Sequence, residues 1–370
     1  MLRVLPLFTA LALAGCAEAD RAGLAVAASA PETAALDSVR VERGDDGVLA
    51  LRWSGADAVD VYAGATPDVD TAGEPVASGT EGELRLPVHS DSTARPFFRV
   101  VPVGESANAG RVVAERALPL QGATNFRDLG GYASADGRRV RWGQVYRTGA
   151  LADLTGRDLD VFSRLGVEMV CDLRRPHEVE AMPDRLPTDD PPRTMTLDIS
   201  GTADREEDED EVLRQLRTGE VSVAERMVEG YRDKALVAAP LYTQMFEALL
   251  DPENRPFLFH CQGGEDRAGI GAALILLAID VPRETVMEDY LLTNEHRVEL
   301  AEEEIVHYAR QYEMPVEVMR GFVNEGAVAD ALAAVFDAID DAYGSTDAYL
   351  RDALGLSDED RARLKDALLV

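Results

Sequence analysis

Cys261 and Arg267 stand six residues apart in the stretch His260-Cys261-Gln262-Gly263-Gly264-Glu265-Asp266-Arg267. The spacing alone is a weak signal, and its surroundings strengthen it. Pro256-Phe257-Leu258-Phe259 upstream has the character of a short apolar strand, and Ala268 to Ile279 downstream that of a helix. Gly263, Gly264 and Gly269 stand where the backbone must curl. A strand, loop and helix in this order aim successive backbone N–H groups and a helix N-terminus at one spot, a cradle in which phosphate would fit. The same field, with Arg267, favours a thiolate over a thiol, so Cys261 is placed to act as a nucleophile. Arg267 offers a planar fork for two phosphate oxygens as charge spreads over them. Asp266 is expected to protonate a leaving oxygen and then help deprotonate the water that attacks the covalent intermediate. His260, Gln262, Gly263, Gly264, Glu265 and Ala268 are expected to line the bound anion, with Asp172 nearby. The chemistry requires no metal and no cofactor.

Other reactive residues have plainer readings. Cys171 ends an apolar run where core packing suffices, and a redox pairing with Cys261 is the sharper alternative. His260 reads as a hydrogen-bonder that orients the loop rather than as a base. His89, His177, His296 and His307 show no metal-ligand spacing. Asp128 and Asp172 are expected to bond backbone or Arg groups around the site, Asp172 being the second candidate acid. Arg127 and Arg174 are either buried ion-pair partners or substrate contacts, and the residues themselves leave both open.

The elements that must position these groups alternate between strands and longer helical segments after Pro119, as in an α/β domain. Gly166 to Leu173 is expected to be a buried strand, preceded by a helix that starts near Leu154-Thr155. Residues 240–250 carry helical spacing. Between them Asp204 to Glu211, broken only by Arg205, reads as a solvated insertion. Before Pro119 the pattern is different. Val39 and Val41, then Leu49, Leu51 and Trp53, then Val59 and Val61, Leu84, Leu86 and Val88, and Phe98 and Val100 alternate in short runs separated by Gly- and Asp-rich turns. This predicts a small β-sandwich over 36–118, similar to immunoglobulin or fibronectin type III modules, acting as a spacer or as a surface for a protein partner.

A chain of 370 residues is long enough for two domains. Thirty-seven basic residues against 68 acidic ones give a formal charge of −31, which opposes binding to nucleic acid or to an anionic membrane surface. Salt screens that field beyond about 8 Å, so an anion site must work locally. The N-terminus reads as an export signal: Arg3, an apolar run from Val4 to Leu13, and the tetrad Leu13-Ala14-Gly15-Cys16. The run is too short to span a bilayer. The tetrad resembles a bacterial lipobox, an ordinary cleavable signal being the alternative. Residues 1–16 are then a lipoprotein signal with Cys16 as the lipidated residue, and 17–35 a flexible tether. The protein is expected on the periplasmic side of the cell envelope, held to the membrane by its lipid anchor alone. Three cysteines exclude a disulfide framework.

Beyond this chemistry, the stretch resembles the loop of the bacterial tyrosine-protein phosphatase family of the secreted mycobacterial type, His-Cys-x-x-Gly-Lys-Asp-Arg-Thr-Gly, in which Gly264, Asp266, Arg267 and Gly269 match. The likeness extends to Asn125-Phe126-Arg127-Asp128-Leu129-Gly130-Gly131, Arg147-Thr148-Gly149-Ala150-Leu151 and Asp172-Leu173-Arg174. Glu178, Pro183-Asp184, Tyr349-Leu350-Arg351 and Leu354-Gly355-Leu356 also fit. The resemblance implies an α/β tyrosine-phosphatase-like domain with a central parallel sheet over 119–370, a phosphocysteine intermediate, and an acid inside the loop, as in the myotubularin lipid phosphatases. It implies hydrolysis of phosphomonoesters, foremost protein phosphotyrosine, with phosphoinositide or dual-specificity substrates as the alternative. Glu265 stands where the family has Lys, which argues against a multiply phosphorylated lipid. Ala268 stands where it has Thr, which should slow breakdown of the intermediate. Both departures also motivate a weakly active module that binds a phosphorylated ligand. An arsenate-reductase-like thiol enzyme shares Cys-x5-Arg but usually carries it near the start of a small chain.

Overall fold

The computed structural model describes residues 36–44, 46–80, 82–86, 95–118, 120–199, 209–296, 302–311, 313–324 and 329–370. The lipoprotein segment 1–16, the tether 17–35, Val88, His89 and most of the acidic run from Asp204 lie outside the described residues.

The alternating runs near the start become strands because every second side chain meets a common core. Strands β1 (Ser38–Arg43), β2 (Leu49–Ser54), β3 (Val59–Gly64), β4 (Ala77–Gly79), β5 (Glu83–Leu86), β6 (Phe97–Pro102) and β7 (Arg111–Ala114) form two antiparallel sheets, ordered β1-β2-β5 and β4-β3-β6-β7. Val41, Leu49, Leu51, Trp53, Val59, Val61, Leu86, Phe98 and Val100 are buried together between them.

The second region is mixed α/β. Its sheet uses β8 (Arg127–Asp128), β9 (Val145–Thr148), β10 (Met169–Asp172), β11 (Arg193–Thr196) and β12 (Phe257–His260), in the order β11-β10-β12-β9-β8. All neighbours are parallel except β8 and β9. The sheet separates two apolar layers. Phe257 and Phe259 of β12 face the larger core, while Leu258 faces a smaller one with Val170, Phe162 and Tyr146. Helices α1 (Gly156–Leu165) and α2 (Pro176–Ala181) follow β9 and β10; α3 (Glu209–Thr218), α4 (Val223–Val237) and α5 (Ala239–Leu250) precede β12. After it come α6 (Asp266–Ala278), α7 (Arg283–Leu291), α8 (Thr293–His296), α9 (Glu302–Gln311), α10 (Val316–Asn324), α11 (Ala329–Tyr343), α12 (Thr346–Asp352) and α13 (Asp358–Leu368).

Two boundaries differ from the sequence reading, each for a local reason. The strand expected from Gly166 begins at Met169, because Gly166 closes α1 in the left-handed conformation, φ 62°. Thr155 caps the start of that helix in a reciprocal capping box with Asp158. The helix expected from Ala268 starts at Asp266, with Glu265 at the cap, so Asp266 and Arg267 lie in its first turn. From Ala268 to Ala278 α6 is buried on every side, as a helix apolar all round must be.

The antiparallel sheets are pinned to the α/β region by charge. Arg95 donates to Asp128 Oδ2 at 2.6 Å, where the carboxylate is fully buried, and lies over the rings of Phe97 and Trp142. Arg116 donates to the Asp128 carbonyl at 2.8 Å and stacks on Tyr132 at 3.8 Å. Trp142 Nε1 donates to the Val112 carbonyl of β7 at 2.9 Å.

Candidate active site

Cys261 follows the central strand β12 and is 2% exposed, the floor of the loop between that strand and α6. The register pairs His260 with Thr148 on one side and Asp172 on the other, and Leu173 N–H donates to the His260 carbonyl at 2.8 Å. The loop's carbonyls are then taken up in turn. Ala150 N–H donates to the Gln262 carbonyl at 2.9 Å. The Gly264 carbonyl accepts from Asn125 Nδ2 and from Arg147 Nη2, each at 2.8 Å. In a trans peptide the next N–H points opposite its carbonyl, so these anchors turn the N–H groups of Gly263 and Glu265 to the other side of the loop.

Glycine is obligatory at one of these positions. Gly264 has φ +69°, and a Cβ there would stand 2.5 Å from the Gly149 nitrogen and the Thr148 carbonyl carbon. The loop therefore rests backbone to backbone on the Arg147-Thr148-Gly149 segment.

The Arg267 and Asp266 side chains are held from the helical side. Arg267 Nη1 and Nη2 donate to the two Glu178 oxygens at 2.6 and 2.8 Å, and Nη1 also reaches the Leu173 carbonyl at 3.3 Å. Glu178 Oε2 accepts as well from Arg175 N–H at 2.8 Å, so one carboxylate caps α2 and grips the guanidinium. Burial would raise the Glu178 pKa, but the bonds from Arg267 and from the Arg175 backbone outweigh it and hold the group at about 2. The guanidinium of Arg267 lies within electrostatic reach of Cys261 and Asp266. Asp266 Oδ1 accepts from the Tyr231 hydroxyl of α4 at 2.5 Å, and that hydroxyl lies 2.8 Å from the Tyr290 hydroxyl of α7.

Around this centre sit three fully buried arginines, and two carry the ion-pair reading of Arg127 and Arg174. Arg127 and Arg147 share Asp289, whose Oδ2 is 2.9 Å from Arg147 Nη1; the pair of cations holds its carboxyl far below the usual range against the opposing effect of burial. Arg127 also bonds the Asn125 side chain. Arg174 binds Asp172 through Nε at 2.9 and 3.1 Å and through Nη2 at 2.8 Å, and reaches Asp184 at 2.8 Å. Asp184 in turn takes His260 Nε2 at 3.0 Å. Asp172 is thus engaged by Arg174, with His260 Nε2 3.7 Å from its Oδ1. Asp172, Asp184 and His260 bring ligand-type atoms within 4.8 Å of one another, but Arg174 already bridges the two carboxylates and supplies the positive charge a metal would.

Gln262 Nε2 contacts Met182 Sδ at 3.2 Å, and Ala268 is buried completely. Glu265 runs toward Gly263, its Oε2 4.0 Å from where a Gly263 Cβ would stand. Cys171 pairs in register with Phe259, two residues before Cys261. That diagonal separates Cα atoms by about 8 Å, beyond the roughly 7 Å a disulfide spans. Burial pushes the Cys171 thiol far up, which makes it inert and speaks against the redox pairing.

Sequence reasoning did not find Tyr231, Tyr290, Asp289 or Lys234. The Lys234 ammonium lies one turn beyond Tyr231 on α4, 5.6 Å from its ring, and feels Asp266, Arg267, Arg175 and Cys261; burial lowers its pKa. None of these carries a local motif. The hydrogen-bond partners of Tyr231, Tyr290 and Asp289 are 35 to 162 residues away, for example Tyr231 to Asp266 and Asp289 to Arg127.

A sequence profile described as "Tyrosine phosphatase family" matches residues 118–370. The chain belongs to this family. It is 31% identical over 265 residues, 69% of its length, to a Cupriavidus necator protein assigned by name to the tyrosine-protein phosphatases, of which 89% is covered. It is 30% identical over 284 residues to the triple specificity protein phosphatase of Mycobacterium tuberculosis, covering 70% of this chain and 100% of the other. A tyrosine-protein phosphatase of Nostoc commune is 28% identical over 225 residues, covering 59% of this chain and 72% of the relative. The family match begins where the antiparallel sheets end, so this family member carries them as an addition in front of the shared region.

Proposed function

We propose that the chain hydrolyses phosphomonoesters through a phosphocysteine intermediate, with protein phosphotyrosine as the leading substrate class. The observation that carries this reading is the first turn of α6, where Glu178 holds Arg267 and Tyr231 holds Asp266 beside Cys261. In the first step the Cys261 thiolate forms the S–P bond as the P–O bond to the leaving group breaks, and the Asp266 proton passes to the departing oxygen. Arg267 and the inward N–H groups of Gly263 and Glu265 meet the charge on the equatorial oxygens, with His260, Gln262, Gly264 and Ala268 shaping the cradle. In the second step water gives a proton to the Asp266 carboxylate, its oxygen bonds to phosphorus, and the S–P bond breaks. Phosphate leaves and the thiolate is restored. No cofactor or metal enters this sequence.

Glu265 beside Gly263 favours a singly phosphorylated group over a multiply phosphorylated lipid. The mycobacterial relative is named a triple specificity protein phosphatase, which supports a second reading, a specificity broader than phosphotyrosine alone. Ala268 favours slow intermediate breakdown and so the weakly active binding module. One experiment separates these: phosphate release by wild type and Cys261→Ser from phosphotyrosine peptide, phosphoserine peptide and phosphoinositide vesicles, with and without chelator. The expected result is chelator-insensitive release fastest from phosphotyrosine, lost by at least ~10⁴-fold in the variant. Faster release from lipid reverses the substrate order, and equal binding without turnover in both proteins establishes the binding module.

Residues 36–118 are read as an immunoglobulin- or fibronectin III-like sandwich, supported by seven strands in sheets of three and four around Trp53. It serves as a spacer, with a protein partner as its second role, ahead of a catalytic domain over 119–370. Cys16 would carry the lipid anchor at the periplasmic face of the envelope. Among the described residues no helix is long and apolar enough to cross a membrane. A Cys16→Ser variant should lose its acyl mass and move from the membrane fraction to the soluble one.

A further inference from the structure

We infer that Tyr231 is the positioning residue of the proton-transfer step: its hydroxyl fixes Asp266 Oδ1, so that Oδ2 is the oxygen presented to the leaving group. The inference rests on the reading of Asp266 as the acid. Tyr231 comes from α4, outside the loop and outside every motif that marks the site. Its hydroxyl donates to Asp266 Oδ1 at 2.5 Å and lies 2.8 Å from the Tyr290 hydroxyl. Both phenols are 1% exposed and their rings meet edge to face, centroids 6.1 Å apart. The Tyr290 ring also lies 3.1 Å from where a Gly269 Cβ would stand, against the first turns of the helix that carries Asp266. The acid is therefore held from two other helices rather than left to the rotamers of a residue at a helix end.

A buried phenol in this place orients without taking part in the acid chemistry. Burial first, then the neighbouring Asp266 and Tyr290, push the Tyr231 pKa well above its ordinary value, so its own proton stays in place. Tyr231 bonds to either form of Asp266. It donates to Oδ1 of the carboxylate, and it donates to the same oxygen, then the carbonyl oxygen of the acid, when the proton sits on Oδ2. The same hydroxyl thus serves the step in which Asp266 gives a proton and the step in which it takes one.

The test uses the full chain and aryl phosphates that differ only in their need for a proton. Phenyl phosphate expels a poor leaving group that requires protonation; 2,4-dinitrophenyl phosphate expels one that does not. In Tyr231→Phe, kcat/KM for phenyl phosphate should fall roughly 10- to 100-fold, a part of what general acid catalysis supplies, while the dinitrophenyl ester changes by no more than about 2-fold. Tyr290→Phe, which leaves the bond to Asp266 in place, should show the same selectivity at smaller size. Asp266→Asn should show it at larger size. An equal loss for both esters in Tyr231→Phe, or no loss for either, overturns the positioning role. If the wild type cleaves neither ester in a way that Cys261→Ser abolishes, the reading of the site fails instead.

Discussion

The loop between β12 and α6 is supported from two sides, and the supports differ in kind. On the side of β8 and β9, Asn125, Arg147 and Ala150 N–H take hold of backbone carbonyls, and Asp289 secures the arginines behind them. On the side of α2, α4 and α7, Glu178 and Tyr231 take hold of the Arg267 and Asp266 side chains, the groups proposed to act on the substrate. The first set fixes the shape of the loop proposed to cradle the anion. The second fixes where a guanidinium and a carboxyl stand within it. Damage to the first should therefore appear in stability and binding, and damage to the second in the rate of the chemical step.

The strongest test of that division is Arg147→Met. It leaves the Gly264 carbonyl with one partner and removes one of the two guanidiniums facing the buried Asp289. A loss of about 3 kcal/mol in unfolding free energy is expected from urea titration, together with weaker binding of inorganic phosphate. Wild-type stability in this variant would break the comparison. Arg95→Ala probes the same side from further away. It strips the ion-pair partner from the fully buried Asp128, which still accepts the Gly130 and Gly143 N–H groups, and should cost about 2 kcal/mol. An unchanged melting temperature would show that the antiparallel sheets are a detachable spacer.

Glu178→Gln probes the helical side. It keeps the shape of the Arg267 partner but loses the charge, so kcat/KM should fall about 10-fold through misplacement of the guanidinium, with a smaller change in stability than Arg147→Met. Its pH dependence sharpens the point. The Glu178 pKa of about 2 in the folded chain lies below its unfolded value of about 4.3. The pair's stabilisation is complete above the unfolded pKa and is lost as pH falls toward the folded one. The stability gap between wild type and Glu178→Gln should thus narrow between pH 5 and pH 2; a constant gap would mean that the charge contributes nothing. Lys234→Met carries the smallest expected effect, a rise in KM of about 5-fold with kcat preserved, equivalent to about 1 kcal/mol of lost attraction for the substrate oxyanion. A fall in kcat instead would place Lys234 in the chemical step.

The strand, loop and helix around Cys261 were legible because their signals are local: glycines where only they fit, an apolar strand before and an apolar helix after. The strands of the N-terminal region were legible for the same reason, since alternation along a few residues encodes which side chains face inward. Boundaries were less so. α6 begins two residues before its apolar run, with Glu265 at the cap position, and a left-handed Gly166 shortens the strand after it. Of the supports, Asn125, Arg147, Ala150 and Glu178 stood in stretches that carry the resemblance, without an assigned role. Tyr231 sits in a segment with no motif, and Asp289 is one acid among 68 acidic residues.

The sequence by itself determined which family the chain belongs with and carried the proposal of which atoms react, because the proposed nucleophile, anion cradle and guanidinium fit into eight consecutive residues. Only the tertiary structure decided how those atoms are aimed. Arg127 and Arg147 became buried ion-pair partners because Asp289, 162 and 142 residues away, was carried into the interior with them, whereas Arg174 is met by Asp172 two residues before it and by Asp184. Taking a charge out of water is tolerable only with such a partner, and which partner arrives is a property of the packed chain rather than of any stretch of it.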